Sequence, residues 1–311
     1  MKKKRIILAA VAALAAAAAV IYLAFPGVLY RGFIGMDRCR AGLTEKSVQV
    51  DDHRIVYLEG GSGATVLLLH GFSGEKDHWT RFARYLTPFY HVIIPDVPGF
   101  GQSSKIDSAL YDIKSQAKRL ERFMEVLKME SFNIAGNSMG GRIAGQIALD
   151  NPARVLTLAL FDSSGVKPPK KSPFQLAFDQ GKNLLLAENA DDYDRVMKLS
   201  FHKPIWLPAP VKKYFADKAV RERPFNHKIE NDNRVRPQEL EPYLGLIKAR
   251  TLIIWGDDDR ILDMSAVKVF EAGIKVHKTV IMKQCGHAPM LERPEEAARH
   301  YLEFLREGKE K

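Results

Sequence analysis

Cysteine is nearly absent: Cys39 and Cys285 are the only two in 311 residues. At most one bridge could form. Cys285 sits just past the end of an expected strand, where a buried free thiol commonly serves as a small hydrophobe, so no disulfide is expected. Neither cysteine stands in a lipid-attachment context, since Cys39 follows Asp37 and Arg38. Internal repeats and low-complexity tracts are also missing. A chain of this length, 46% hydrophobic, can bury one core of roughly 250 residues with appendages.

Charge is missing altogether from residues 6–25, twenty residues that as a helix would span about 30 Å. They follow Lys2, Lys3, Lys4 and Arg5, a basic flank over residues 1–5. A transmembrane anchor over 6–25 is expected. The competing reading is a cleaved signal peptide, which the alanine run allows, but apolarity persists through Ile21–Phe25, past the usual length of such a segment. Cations ahead of the span outnumber Arg31, Arg38 and Arg40 behind it, which favours a cytoplasmic N-terminus. The rest of the chain would then lie on the non-cytoplasmic side, in a bacterial cell the periplasmic face of the inner membrane.

The net charge of +10 would suit a nucleic-acid surface if it were spread over the chain, but it is not. Residues 1–40 carry +6 and residues 166–250 carry +6, so everything else sums to −2. The excess belongs to the membrane flank and one insertion, and no nucleic-acid partner is expected.

Residues 26–46 hold four glycines among Tyr30, Phe33 and scattered arginines, a composition suited to an interfacial connector. Residues 47–50 and 54–58, split by Asp51–His53, predict an opening hairpin. Six short apolar runs follow, at Val66–Leu69, Val92–Ile94, Phe132–Ala135, Leu156–Phe161, Leu252–Trp255 and Thr279–Met282. Such runs are strands buried on both faces. Between them Ile113–Lys128 places Ala117, Leu120, Phe123, Met124 and Leu127 on one helical face. Alternating strand and helix predicts an α/β domain over 47–311, a doubly wound, mostly parallel sheet.

The alternation stops between Ser163 and about Arg250. Ser172-Pro173 opens a short helix, Asp191–Leu199 and Val211–Arg221 predict two more, and His202–Pro208 suits no regular element. This insertion, about 166–245, reads as a helical cap over the carboxyl edge of the sheet.

Four loops carry chemistry. Gly136-Asn137-Ser138-Met139-Gly140 follows a buried strand and precedes a helix, which is the strand–turn–helix of a nucleophile elbow. Small neighbours let the backbone turn sharply and expose the Ser138 hydroxyl, with the helix N-terminus beneath the reacting carbonyl. His70-Gly71-Phe72 ends another strand where an oxyanion loop is expected, with donors in the backbone N–H groups of Phe72 and Met139. Trp255-Gly256-Asp257-Asp258-Asp259 offers an acid and Gly286-His287 a base. Asp257, Asp258 and the distant Asp162 compete with Asp259. Among the other histidines His70 reads as structural, and His53, His78, His91, His202, His227, His277 and His300 lack a catalytic setting.

The chain resembles the lipase and esterase branch of the α/β-hydrolases, most of all the membrane-anchored monoacylglycerol lipases and related bacterial lipases. The similar stretches are His70–Trp79, Pro95–Gly101, the elbow, Ile253–Asp263 and Cys285-Gly286-His287. The resemblance runs from about Ser47 to the C-terminus and is least specific in the cap. It implies Asp259 as the acid, three residues past the glycine, and hence a triad of Ser138, Asp259 and His287. It implies no metal and no organic cofactor. The expected reaction is hydrolysis of lipid carboxylic esters, acylglycerols first, through an acyl-enzyme, with Phe72 and Trp206 as substrate contacts. Phe174, Leu176, Phe178, Leu184, Leu185, Leu186, Trp206 and Leu207 could equally line an acyl pocket or form the cap's own core. The rival reading is a carbon–carbon bond hydrolase of aromatic degradation, whose elbow can also read Gly-Asn-Ser-Met-Gly-Gly. Against it stand the anchor and the sequence His287-Ala288-Pro289, where that branch commonly places tryptophan after the histidine. A tethered binding module with a vestigial site is the other alternative, disfavoured by a complete triad.

Overall fold

The computed structural model describes residues 2–204 and 206–307, and the side chains of residues 14–21, 23 and 190 lie outside that description. Among the described residues eight strands form one sheet. They are β1 (Leu43–Val50), β2 (His53–Gly60), β3 (Thr65–Leu69), β4 (His91–Pro95), β5 (Phe132–Asn137), β6 (Val155–Phe161), β7 (Arg250–Gly256) and β8 (His277–Met282). Their order is β1-β2-β4-β3-β5-β6-β7-β8. The opening hairpin pairs β1 with β2, β2 runs antiparallel to β4, and every later pairing is parallel. All six apolar runs of the sequence are strands; those of β3, β4, β5 and β7 are buried on both faces, whereas β8 at the sheet edge is only partly covered.

The helices in chain order are α1 (Lys2–Ala24), α2 (Pro26–Arg40), α3 (Thr80–Ala83), α4 (Ile113–Val126), α5 (Met139–Asp150), α6 (Pro173–Asp179), α7 (Ala190–Ser200), α8 (Ala209–Val235), α9 (Ala266–Gly273), α10 (Pro289–Glu292) and α11 (Pro294–Glu307). Along β3 the residues alternate between two cores. Leu67 and Leu69 pack with Leu120 and Phe123 of α4 and Ile143 and Ile147 of α5. Val66 and Leu68 join Trp79, Phe82, Phe161, Tyr301 and Phe304 on the opposite face. A two-residue period thus separates the layers, as a pleated strand requires.

The N-terminal reading needs one correction, at the connector. Among the described residues no helix is long and apolar enough to cross a membrane. Nine of the twenty residues of the expected span at 6–25, namely 14–21 and 23, have side chains outside the described residues. Residues 26–46, read as a connector, form helix α2 and the start of β1. Phe25 takes φ −130° and ψ 52°, the non-helical backbone a following proline imposes, and Pro26 restarts the helix. Tertiary partners then hold α2, and composition gave no sign of them. Tyr30 stacks edge-on against Phe215 of α8 at 4.7 Å, and Arg38 grips Asp77 through two bonds of 2.7 and 2.6 Å.

In the cap, Ser172 and Gln175 form the reciprocal capping pair that opens α6. Helix α8 runs 27 residues where the sequence predicted eleven, passing through Pro224. Its far half is secured from outside: Asn226 Nδ2 donates to Ser73 Oγ at 3.0 Å, Asp232 Oδ2 accepts from Tyr111 N at 3.0 Å, and Ile229 is buried. Those contacts outweigh the one helical bond the proline forfeits.

Candidate active site

Strand β5 meets helix α5 at Ser138, which sits at φ 56° and ψ −119°. A non-glycine residue in that region is strained by about 1–3 kcal/mol, and its surroundings must enforce it. They do so on both sides. Ser138 N donates to Phe161 O at 3.0 Å, and Ser138 O accepts from Arg142 N at 3.2 Å to begin the helix. Side chains are excluded nearby, because a Cβ on Gly136 would lie 2.2 Å from Gly140 O and one on Gly140 would lie 2.4 Å from Leu69 O.

The loops after β7 and β8 bring Asp259 and His287 together. His287 Nδ1 lies 2.8 Å from Asp259 Oδ2, and both residues are buried. Asp259 Oδ1 faces the other way and accepts from Ile261 N at 2.8 Å and Leu262 N at 2.9 Å. A carboxylate so held fixes the ring with its Nδ1 proton toward the acid and Nε2 free to act as base. Ser138 and His287 line one cavity. Among the described residues no hydrogen bond joins the serine hydroxyl to the ring; in an unliganded site that contact is commonly long and tightens around substrate.

The competing acids have other partners. Asp257 Oδ1 accepts from Gln284 N at 2.7 Å. Asp258 pairs with His202 at 2.8 Å and Arg260 at 2.7 Å, tying the acid loop to the cap. Asp162 is fully buried just behind Asp259, its Oδ1 accepting from Gly256 N at 2.9 Å. Burial first, and the Asp259 charge second, push its pKa well above the ordinary carboxylate value. Asp162, Asp259 and His287 bring one ligating atom each within 4.8 Å of one another. Since both Asp259 oxygens are already engaged by protein N–H donors, the cluster has the chemistry of a hydrogen-bonded relay and not that of a cation cage.

The loop after β3 lies against the elbow: a Cβ on Gly71 would come within 3.2 Å of Ser138 Cβ. His70 braces this loop. Its Nε2 accepts from Val97 N at 2.9 Å, so its Nδ1 proton points to Gly71 O at 2.8 Å. Burial lowers its pKa to about 3, keeping it a neutral structural ring. The Met139 N–H stands in the first turn of α5, and Phe72 follows Gly71 on the facing loop.

Above these groups lies a cavity of about 580 Å³. Phe72, Leu185, Trp206 and Leu207 line it, while Phe174, Leu176, Phe178, Leu184 and Leu186 do not. Leu176 and Phe178 are exposed on the cap's outside and Leu186 is buried inside it. Trp206 stands 82% exposed at the rim.

Three features escaped the sequence reading. Tyr30, Phe33 and Ile34 of α2 form part of the cavity wall. Glu75 is a half-buried junction that accepts from Tyr30 Oη at 2.6 Å and Lys218 Nζ at 2.5 Å, joining α2, the loop after β3 and α8. Asn137 Nδ2 donates to Phe161 O at 3.1 Å and His287 O at 2.9 Å. Asn137 lies inside the elbow motif, but no local pattern told that its amide reaches a loop 150 residues away.

The sheet order, the strained elbow serine and the buried histidine–aspartate pair define an α/β-hydrolase. Residues 64–294 match the family of the alpha/beta hydrolase fold. Lipase 1 of Psychrobacter immobilis is 34% identical over 276 residues, covering 87% of each chain. Monoacylglycerol lipase abhd6-A of Xenopus laevis is 28% identical, covering 91% of this chain and 88% of its own. A solved structure of a membrane phospholipase A, described as a bacterial virulence factor, superposes with a TM-score of 0.91 at 44% identity, over 99% of this chain and 100% of that one. The chain belongs to the α/β-hydrolase family and is a carboxylic ester hydrolase of the lipase and esterase type.

Proposed function

We propose that this hydrolase cleaves acyl esters of glycerolipids, acylglycerols among them, with Ser138 as nucleophile, His287 as base and Asp259 as the acid that orients it. The observation that carries the reading is the 2.8 Å His287–Asp259 pair at the floor of a largely apolar cavity that Ser138 also lines. As Ser138 Oγ attacks the carbonyl carbon, its proton passes to His287 Nε2, and the carbonyl oxygen becomes an oxyanion held by the N–H groups of Phe72 and Met139. The protonated ring gives that proton to the departing glycerol oxygen. Water, deprotonated by the same ring, then attacks the acyl-enzyme and frees the fatty acid.

The apolar wall of Phe33, Ile34, Phe72, Val211 and Phe215 suits an acyl chain, and Trp206 at the rim suits its entry. Attachment to a bilayer through residues 6–25, with the catalytic domain on the non-cytoplasmic side, fits this substrate. Its support is the uncharged stretch behind four cations and the membrane phospholipase whose structure aligns over nearly the whole chain. That relative also favours a second substrate reading, a glycerophospholipid.

The test is a hydrolysis panel of mono-, di- and triacylglycerols, glycerophospholipids and short aryl esters. Ser138→Ala should lower turnover on the order of 10⁴-fold or more on every active substrate. Retention of a few per cent activity, or failure of a fluorophosphonate probe to label Ser138, would remove the nucleophile assignment. Turnover confined to short aryl esters would remove the lipid. Carbonate extraction of native membranes, with release of the chain into the soluble fraction, would reject the anchor.

A further inference from the structure

Asp162 stands directly behind the acid of the pair, at the end of β6, and the triad mechanism gives it no task. It is 0% exposed, and its ligating oxygen lies within 4.8 Å of those of Asp259 and His287. Its Oδ1 is satisfied by Gly256 N at 2.9 Å, but its Oδ2 is buried with no partner. As two carboxylates, Asp162 and Asp259 have no proton between them and repel. One added proton turns the same contact into a hydrogen bond.

The acceptor count allows this. A carboxylate offers about four lone-pair sites. Asp259 uses three, for Ile261 N, Leu262 N and His287 Nδ1, and a fourth remains on the buried side. The other groups that face Asp162 are Cys285 and Glu292, besides His287 across Asp259. Glu292 is an acid itself and is already occupied by Gly286 N at 2.8 Å and Lys203 N at 2.8 Å. Ionised Asp162 would therefore add a buried negative charge beside those of Asp259 and Glu292, while the neutral acid supplies a donor from its unpartnered Oδ2.

We propose that Asp162 is a positioning residue of the triad, a carboxylic acid in the working enzyme whose O–H donates to the Asp259 carboxylate. It locks that carboxylate from behind and tempers its basicity, so the proton on His287 Nδ1 stays on the ring. The proposal rests on the triad reading above, and goes beyond it by assigning a protonation state to a residue outside the triad.

Two substitutions separate the acid from the anion. Asp162→Asn keeps a donor toward Asp259 and an acceptor for Gly256 N, and asparagine tolerates the φ of 43° found there. If Asp162 is neutral, Asn replaces it without a change of charge: kcat/KM should stay within about threefold of native, and the acid limb of its pH profile should not move. If Asp162 is ionised, the same change removes a negative charge near His287, and the acid limb should shift to lower pH by half a unit or more; that shift, or a loss beyond about tenfold, overturns the proposal. Asp162→Gly suits the backbone while deleting the carboxyl, and should lower kcat about tenfold with KM nearly unchanged; native kcat in this variant also overturns it.

An infrared difference spectrum between native protein and Asp162→Asn at pH 7 reads the group without any substrate. A protonated-carboxyl C=O band present in the native and lost in the variant supports the proposal, and an ionised-carboxylate band lost instead refutes it. Because this readout needs no turnover, it stands or falls apart from the assignment of substrate and nucleophile.

Discussion

Asn137 Nδ2 donates to the carbonyl of His287 at 2.9 Å, so the residue just ahead of the elbow serine holds the loop that carries the proposed base. The same amide also reaches Phe161 O at the end of β6, which makes one side chain a three-way tie among β5, β6 and the histidine loop. Asn137→Ala removes both bonds; Phe161 O keeps its bond from Ser138 N, whereas the His287 carbonyl loses this donor, a cost of about 1–3 kcal/mol before relaxation. Expected is a fall in kcat of about tenfold or more and a lower urea midpoint; native kcat would mean the histidine loop holds itself in place.

Asp259→Asn should do more harm than its shape suggests. The Oδ1 side of this group faces two backbone donors, Ile261 N and Leu262 N, so the asparagine oxygen must stay there and its NH₂ must face His287. The ring is then forced to accept at Nδ1 and carry its proton on Nε2, the wrong tautomer for taking the Ser138 proton. A loss of about 10⁴ in kcat is expected with the fold intact, measured by ester turnover alongside circular dichroism. Activity above about a tenth of native would assign the acid elsewhere.

Acid stability should depend on Glu75. Burial alone would raise its pKa, but the charges of Lys218 and His78 and the bonds from Lys218 and Tyr30 bring it from an ordinary 4.5 down to about 2. A depressed carboxyl stabilises the fold fully above its unfolded value and loses that contribution as pH falls from about 4.5 towards 2. Glu75→Gln should therefore cost on the order of 3 kcal/mol at pH 7, with a clearly smaller difference from native at pH 3. Equal urea-midpoint differences at the two pH values would show that packing, not charge, holds α2 to the oxyanion loop.

Two glycines should respond in opposite directions to the same substitution. Gly140→Ala places a methyl 2.4 Å from the Leu69 and His70 carbonyls, and a destabilisation of about 3 kcal/mol or more is expected, seen as poor soluble yield or a lowered melting temperature. Gly35, inside α2, has nothing within 4 Å of where a Cβ would stand, so Gly35→Ala should be neutral or stabilise by up to about 1 kcal/mol. A stable Gly140→Ala would contradict the packing of the elbow against β3.

The sequence by itself determined the sheet and the elbow. Strands buried on both faces must be short continuous apolar runs, and a serine turn between strand and helix tolerates only small neighbours, so Val66–Leu69 or Gly136–Gly140 carry their meaning locally. It also offered His287 and a run of three acids, Asp257–Asp259, in loops that follow strand ends, and only the family resemblance pointed to Asp259 among them. Tertiary structure alone decided what those residues lean on. The amide of Asn137 reaches His287, the carboxyl of Asp162 comes up behind Asp259, and Tyr30 of α2 meets Glu75 and Phe215, all across separations that no periodicity encodes. The same holds for α2 and the far half of α8, where glycines and Pro224 argue locally against helix and distant side chains supply the bonds that keep them wound. Local sequence fixes backbone preference and burial, whereas hydrogen-bond partners and shared charge are settled only once the chain has closed on itself.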